Sequence, residues 1–169
     1  MTNWNEFMRL LTEEDLPAMM ALQADMLSAL PDPRWYFPST TEEFAVEVRA
    51  DHATGVFVEG RLVAFGIASP GQSHRTQSYA MKVGEEPANT FDFQDIMVHP
   101  DFRRRGIHSA FLAKYRAQAE ALGCRAVYAT VDPDNVPSWS SFEKAGFRRL
   151  VIQPAYDGRT RAYYRLYLR

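Results

Sequence analysis

At Gly55 the spacing of apolar residues changes from helical to alternating, which divides the chain into a helical entry and a strand-rich remainder. Upstream, Leu16, Met19, Met20, Gln23, Met26, Leu27 and Leu30 recur at three- and four-residue intervals. That spacing predicts an amphipathic helix over 12–29, begun by Thr12 and the acids Glu13, Glu14 and Asp15. Phe7 to Leu10 reads as a short strand before it. Pro31, Pro33 and Pro38 end the helix, with Arg34-Trp35-Tyr36-Phe37 among them. Ser39 or Thr41 caps a second helix reaching to about Ala53. Downstream, Val56 to Val58, the turn Glu59-Gly60-Arg61 and Leu62 to Ile67 predict a β-hairpin.

Residues 69–90 form a long polar connection in which Tyr79 to Val83 reads as a shorter strand. Phe91 to Val98 is a further strand, stopped by His99-Pro100-Asp101. Ile107, Ala110, Phe111, Tyr115, Ala119 and Leu122 then trace a helix ended by Gly123. Ala126 to Val131 reads as a buried strand. Asp132 to Asn135 turns into a helix holding Trp139, Phe142 and Ala145, stopped at Gly146. Phe147 to Ile152 and Ala162 to Leu168 are closing strands, with a turn at Asp157-Gly158. There is no repeat and no linker, so residues 1–169 are expected to form a single mixed α/β domain.

Composition removes several function classes. One cysteine excludes a disulfide framework and a cysteine-based zinc finger. His52, His74, His99 and His108 have no metal-like spacing, so no metal is expected. Cys124 reads as a small packed residue, and no nucleophile-elbow motif is present. No apolar run approaches the ~18 residues of a membrane span, and the first residues do not resemble a signal peptide. A soluble, cytoplasmic protein is expected.

The net charge of −2 conceals a gradient. Residues 1–60 carry −8, residues 61–100 carry −1 and residues 101–169 carry +7, with sixteen of nineteen cations being arginine. Arginine suits phosphate and carboxylate. The basic stretch opens on Arg103-Arg104-Arg105-Gly106-Ile107-His108-Ser109, between a strand and a helix. A helix start presents N–H groups and the positive end of the dipole, and a glycine there lets a bulky anion approach. The dinucleotide fingerprint and the P-loop ending are both absent, so this is another kind of phosphate construction, or else a basic helix start exposed to water.

Arg103-x-x-Gly106 after Ile96-Met97-Val98-His99-Pro100 resembles motif A of the GNAT superfamily of acetyl-CoA-dependent N-acetyltransferases. Asn135-x-x-Ser138 followed by Phe142-Glu143-Lys144-Ala145-Gly146-Phe147 resembles the family's motif B, in register with the first. The resemblance covers nearly the whole chain. It implies a mixed, mostly antiparallel sheet splayed between strands 4 and 5, flanked by helices on both faces, with acetyl-CoA as acyl donor. By position, main-chain groups of Ile96, Met97 and Val98 would hold the pantetheine arm and thioester. Arg104, Arg105, Gly106, Ile107, His108 and Ser109 would wrap the pyrophosphate, and Asn135 would also contact the cofactor.

Three departures stand out. A small residue of motif A is replaced by His108, the tyrosine that often protonates the leaving thiolate falls on Phe142, and one version of the glutamate base falls on Thr130. Members with an acidic base on the fourth strand place it at Asp92, with Asp95 on the opposite face by simple alternation. Ser141 and Tyr128 are substitute acids. Trp35, Tyr36 and Phe37 either wall the acceptor pocket or pack on the core. The expected function is acetyl transfer to the primary amine of a small molecule or peptide, by a monomer or homodimer without membrane or nucleic-acid partners. A GNAT fold that binds acyl-CoA without catalysis is one alternative, and a nucleic-acid module built on the basic half is another. Overall acidity and dispersed arginines speak against the latter.

Overall fold

The computed structural model describes residues 1–73, 78–155 and 158–169; His74 and the turn residue Asp157 lie outside the described residues. The regular elements are β1 (Met8–Leu10), α1 (Leu16–Ser28), α2 (Thr41–Arg49), β2 (Ala53–Val58), β3 (Arg61–Pro70), α3 (Tyr79–Lys82), β4 (Thr90–Val98), α4 (Ile107–Ala121), β5 (Ala126–Val131), α5 (Val136–Lys144), β6 (Arg148–Pro154) and β7 (Thr160–Tyr167). Among the described residues the strands follow the spatial order β1-β2-β3-β4-β5-β7-β6 in a seven-stranded sheet. β4 and β5 are parallel, while β1 on β2, β2 on β3, β5 on β7 and β6 on β7 are antiparallel. The parallel register runs from Thr90–Ala126 to Phe93–Ala129, and the two strands continue to Val98 and Val131. This is the mixed α/β architecture expected from the sequence.

The chain forms two compact units. The first comprises Met1–Ile67 and Asp95–Phe111. Its core gathers Met19, Leu22 and Met26 of α1, Phe44 and Val48 of α2, Phe65 and Ile67 of β3, and Met97 of β4. Thr40 caps α2, accepting from the Glu43 N–H at 3.2 Å while the Glu43 carboxylate accepts from Thr40 N–H at 2.7 Å. The α1–α2 connection is tied down by buried Gln23, whose amide exchanges two 2.9 Å bonds with the Ser39 main chain. The β2–β3 hairpin turns on Glu59 and Gly60, at φ 50° and 77°, as two-residue hairpin loops require.

The second unit comprises Ala68–Gln94 and Leu112–Arg169. Phe93 meets Tyr115 and Phe147 at ring separations of 5.6 and 5.7 Å, and Phe142 sits on Phe147 at 5.2 Å. A second apolar group joins Tyr79, Ala80, Ala126, Tyr128 and Tyr163. The expected strand at Tyr79 to Val83 is instead the one-turn helix α3. Ser78 caps it by accepting from the Met81 N–H at 3.2 Å, and Gly84 leaves it at φ 75°. A local cap and a left-handed exit outweigh the strand propensity of Tyr79 and Val83 in so short a segment.

Candidate active site

In the first unit β4 ends at Val98, and His99 N–H donates to the Val63 carbonyl of β3 at 2.9 Å. The chain then turns through Pro100–Phe102, with the His99 Nδ1 accepting from Asp101 N–H at 3.1 Å. The His99 Nε2 lies 2.9 Å from an Arg61 guanidinium nitrogen and 3.6 Å from an Asp25 carboxylate oxygen. The strand end is therefore braced by side chains from α1 and β3.

Arg103, Arg104, Arg105 and Gly106 are all exposed. Arg104 is left-handed at φ 60° and Gly106 at φ 84°. A left-handed arginine carries a strain of roughly 1 kcal/mol that a glycine would not. Arg105 folds its guanidinium over the Phe102 ring at 4.8 Å and donates to the Asp101 carbonyl at 2.9 Å. A Cβ added at Gly106 would meet nothing nearer than the Trp4 Nε1 at 4.0 Å, so the space beside this glycine is open. Ile107 is buried and anchors the start of α4, while Ser109 is exposed. The 107–109 N–H groups fall in the first turn of a helix, where no earlier helix carbonyl is available. Exposed arginines, an open glycine and a helix start fit a pyrophosphate or a comparable anion.

His108 is half-buried, and burial lowers its imidazole to about 4. The ring is neutral near pH 7, so the arginines and the helix start supply the positive charge of this turn. Of the strand residues expected to serve a cofactor, Met97 is buried in the core, which leaves its main chain for that task, and Ile96 and Val98 are half-buried. Asp95 is half-buried on the same side of β4 as Met97 and accepts a 3.0 Å hydrogen bond from the Tyr36 hydroxyl. Tyr36 packs against the same core.

The remaining candidates belong to the second unit. Asp92 has 0% exposure, and its Oδ2 accepts the Tyr79 N–H at 3.1 Å, at the start of α3. Asn135 caps α5, its Oδ1 accepting from the Ser138 N–H at 3.4 Å. Phe142 is buried and stacked on Tyr164, 6.1 Å between ring centres. The Ser141 hydroxyl donates to the Pro137 carbonyl at 3.0 Å. The Tyr128 hydroxyl donates to Glu85, and burial first, with the Glu85 carboxylate second, pushes it up to about 12. Neither Ser141 nor Tyr128 stands ready to give a proton at neutral pH. Burial also pushes the Cys124 thiol up, in keeping with a packed rather than a nucleophilic cysteine. No cluster of His, Cys, Asp and Glu suited to a metal occurs among the described residues, and no helix there is long and apolar enough to cross a membrane.

A family model described as Acetyltransferase (GNAT) family matches residues 10–147. This chain belongs to the GNAT acetyltransferase family. The match spans motif A and motif B together, from the end of β1 to Phe147. Solved structures that share this fold include the following three. An N-acetyltransferase from Staphylococcus aureus Mu50 is 23% identical with a TM-score of 0.72, covering 96% of this chain and 98% of its own. The ribosomal-protein-S18-alanine N-acetyltransferase from Escherichia coli is 21% identical with a TM-score of 0.69, covering 95% and 92%. The PaiA N-acetyltransferase from Thermoplasma acidophilum, solved in complex with coenzyme A, is 13% identical with a TM-score of 0.68, covering 95% and 98%. At these identities the likeness is one of fold. No curated protein matches the sequence.

Reading along the sequence finds the strand, turn and helix of the GNAT motif, but misses what holds them. Trp4, Arg61 and Asp25 are distant in sequence and carry no motif. Trp35, Tyr36 and Phe37 stand out between the prolines, but no local pattern points to the contact of Tyr36 with Asp95.

Proposed function

We propose that residues 1–169 act as one acetyltransferase domain that moves an acetyl group from acetyl-CoA to a primary amine, by direct attack with both substrates bound. One observation carries the reading. The exposed turn Arg103 to Gly106, left-handed at Arg104 and Gly106, opens into the first turn of α4 with room for an anion beside the glycine. Main-chain groups of Arg104, Arg105, Gly106, Ile107, His108 and Ser109 bind the pyrophosphate. Main-chain groups of Ile96, Met97 and Val98 hold the pantetheine arm, and one of their N–H groups donates to the thioester oxygen as charge develops there. Asn135, whose Oδ1 caps α5, also contacts the cofactor.

Acetyl-CoA supplies an activated acetyl thioester. As the amine nitrogen bonds to the acetyl carbon and the carbon–sulfur bond breaks, the proton of the amine passes to a carboxylate of β4. The family resemblance assigns that role to Asp92. The half-buried Asp95, reached by the Tyr36 hydroxyl, is the second reading, because a base must touch its substrate and Asp92 has no exposed surface. Phe142 has no hydroxyl to give, so the sulfur leaves as a thiolate, which its weak conjugate acid permits. The protein works in the cytoplasm, as a monomer or homodimer, on a small-molecule or peptide amine and without metal or nucleic acid.

The test is thiol release from acetyl-CoA across an amine panel, with Asp92→Asn and Asp95→Asn in parallel. Replacing the true base lowers turnover and removes the acidic limb of the pH profile, at an unchanged KM for acetyl-CoA. Wild-type profiles in both variants would remove both carboxylates from the mechanism. Saturable CoA binding with no turnover on any amine would reduce the protein to an acyl-CoA-binding GNAT fold.

A further inference from the structure

We propose that Trp4, in the N-terminal 3-10 turn, is the positioning residue of the phosphate turn, holding the Arg105–Gly106 peptide so that its N–H faces the cofactor. The proposal rests on the acetyl-CoA reading of that turn. The Trp4 indole Nε1 donates to the Arg105 carbonyl at 2.7 Å, a bond between residues 101 apart in sequence. Trp4 is 8% exposed and packs on Phe7 at 5.6 Å between rings, so the donor is presented from a fixed ring.

The bonded peptide joins Arg105 to the left-handed Gly106, one residue after the left-handed Arg104. Such a peptide has alternatives, because glycine on its C-terminal side rotates at little cost. No peptide bond among the described residues is cis, and in a trans peptide the C=O and the following N–H point in opposite directions. Drawing the Arg105 oxygen onto the indole therefore turns the Gly106 N–H away from it. Gly106 is exposed, with open space where a side chain would stand. An anion donor set aligned before binding avoids the ordering cost that a mobile turn would incur. The indole N–H can only donate, so a carbonyl is the partner it suits and the turn has no second way to use it.

Trp4→Phe keeps an aromatic ring in place and removes the donor. The experiment measures CoA and acetyl-pantetheine binding by calorimetry, steady-state KM and kcat, and amide hydrogen exchange in the CoA-free protein. A lost hydrogen bond of ordinary strength raises the Kd for CoA about five- to tenfold. Binding of acetyl-pantetheine, which lacks the pyrophosphate, stays unchanged, as do kcat at saturating acetyl-CoA and the KM for the amine. Exchange at residues 105–107 accelerates while the α1–α2 core keeps its protection. If Trp4→Phe fails to fold, benzothienylalanine at position 4 replaces the N–H by sulfur within the same ring shape, and the same changes are expected. CoA affinity within twofold of wild type, or an equal loss for acetyl-pantetheine, overturns the proposal. A wild-type protein that binds no CoA overturns the function reading instead, and the exchange rates at 105–107 then decide on Trp4 alone.

Discussion

Acid should destabilise this protein through His108 in a way that a His108→Gln variant escapes. The imidazole is held at about 4 by burial, against an ordinary value of 6.5. Its folded-state affinity for a proton is therefore roughly 300-fold below that of the unfolded chain, a ceiling of about 3 kcal/mol. Part of the residue reaches solvent, so about 2 kcal/mol is the realistic figure. The sign follows from which state binds the proton. Between pH 6.5 and 4 the unfolded chain takes up the proton and the folded protein does not. The contribution is fully present above pH 6.5, is lost as pH falls towards 4, and changes no further below that. Urea unfolding of both proteins at half-unit steps from pH 7.5 to 4 measures it. The difference between the two stability curves should narrow by about 2 kcal/mol on acidification, because glutamine has nothing to titrate. Parallel curves across the whole range would refute the burial argument, and with it the claim that His108 adds no charge to the turn.

Two further perturbations follow from the packing. Arg161, 2% exposed, pairs with buried Asp132 at 3.2 Å, so Arg161→Met strands a carboxylate and should cost about 3–5 kcal/mol by chemical denaturation. Adding Asp132→Leu to that variant should recover much of the loss. Gly106→Ala meets no clash, yet must hold φ 84°, so it should cost about 1–2 kcal/mol and weaken CoA in calorimetry, leaving the KM for the amine unchanged.

Local signals in the sequence carried the architecture, and long-range ones did not. The period change at Gly55, the Glu59-Gly60 turn and the strand–arginine–glycine–helix run each sit within a dozen residues, where spacing and turn chemistry act directly. The Tyr79–Lys82 helix was hidden because one turn shows no period, and its formation depends on the Ser78 cap. Alternation along β4 assigned faces but not depth, so it could not reveal that Asp92 has no exposure and holds the start of α3. The −8 carried by the first sixty residues would draw in a cationic amine if that charge stood free. In the structure Glu13 and Glu42 pair with Arg49, Glu43 closes a cap and Glu47 meets His52 at 2.8 Å. Much of that charge is spent on local structure, which weakens any steering built on it. The Trp4–Arg105 bond lies beyond any sequence window.

The central claim is that the turn from Arg104 to Ser109 holds the phosphates of acetyl-CoA. A titration of isotope-labelled protein with CoA, followed through amide chemical shifts, tests it most directly. The account predicts saturable binding with the largest changes at the amides of residues 104–109, followed by those of Ile96 to Val98. Saturation with those amides unmoved, or changes confined to other surfaces, would contradict it.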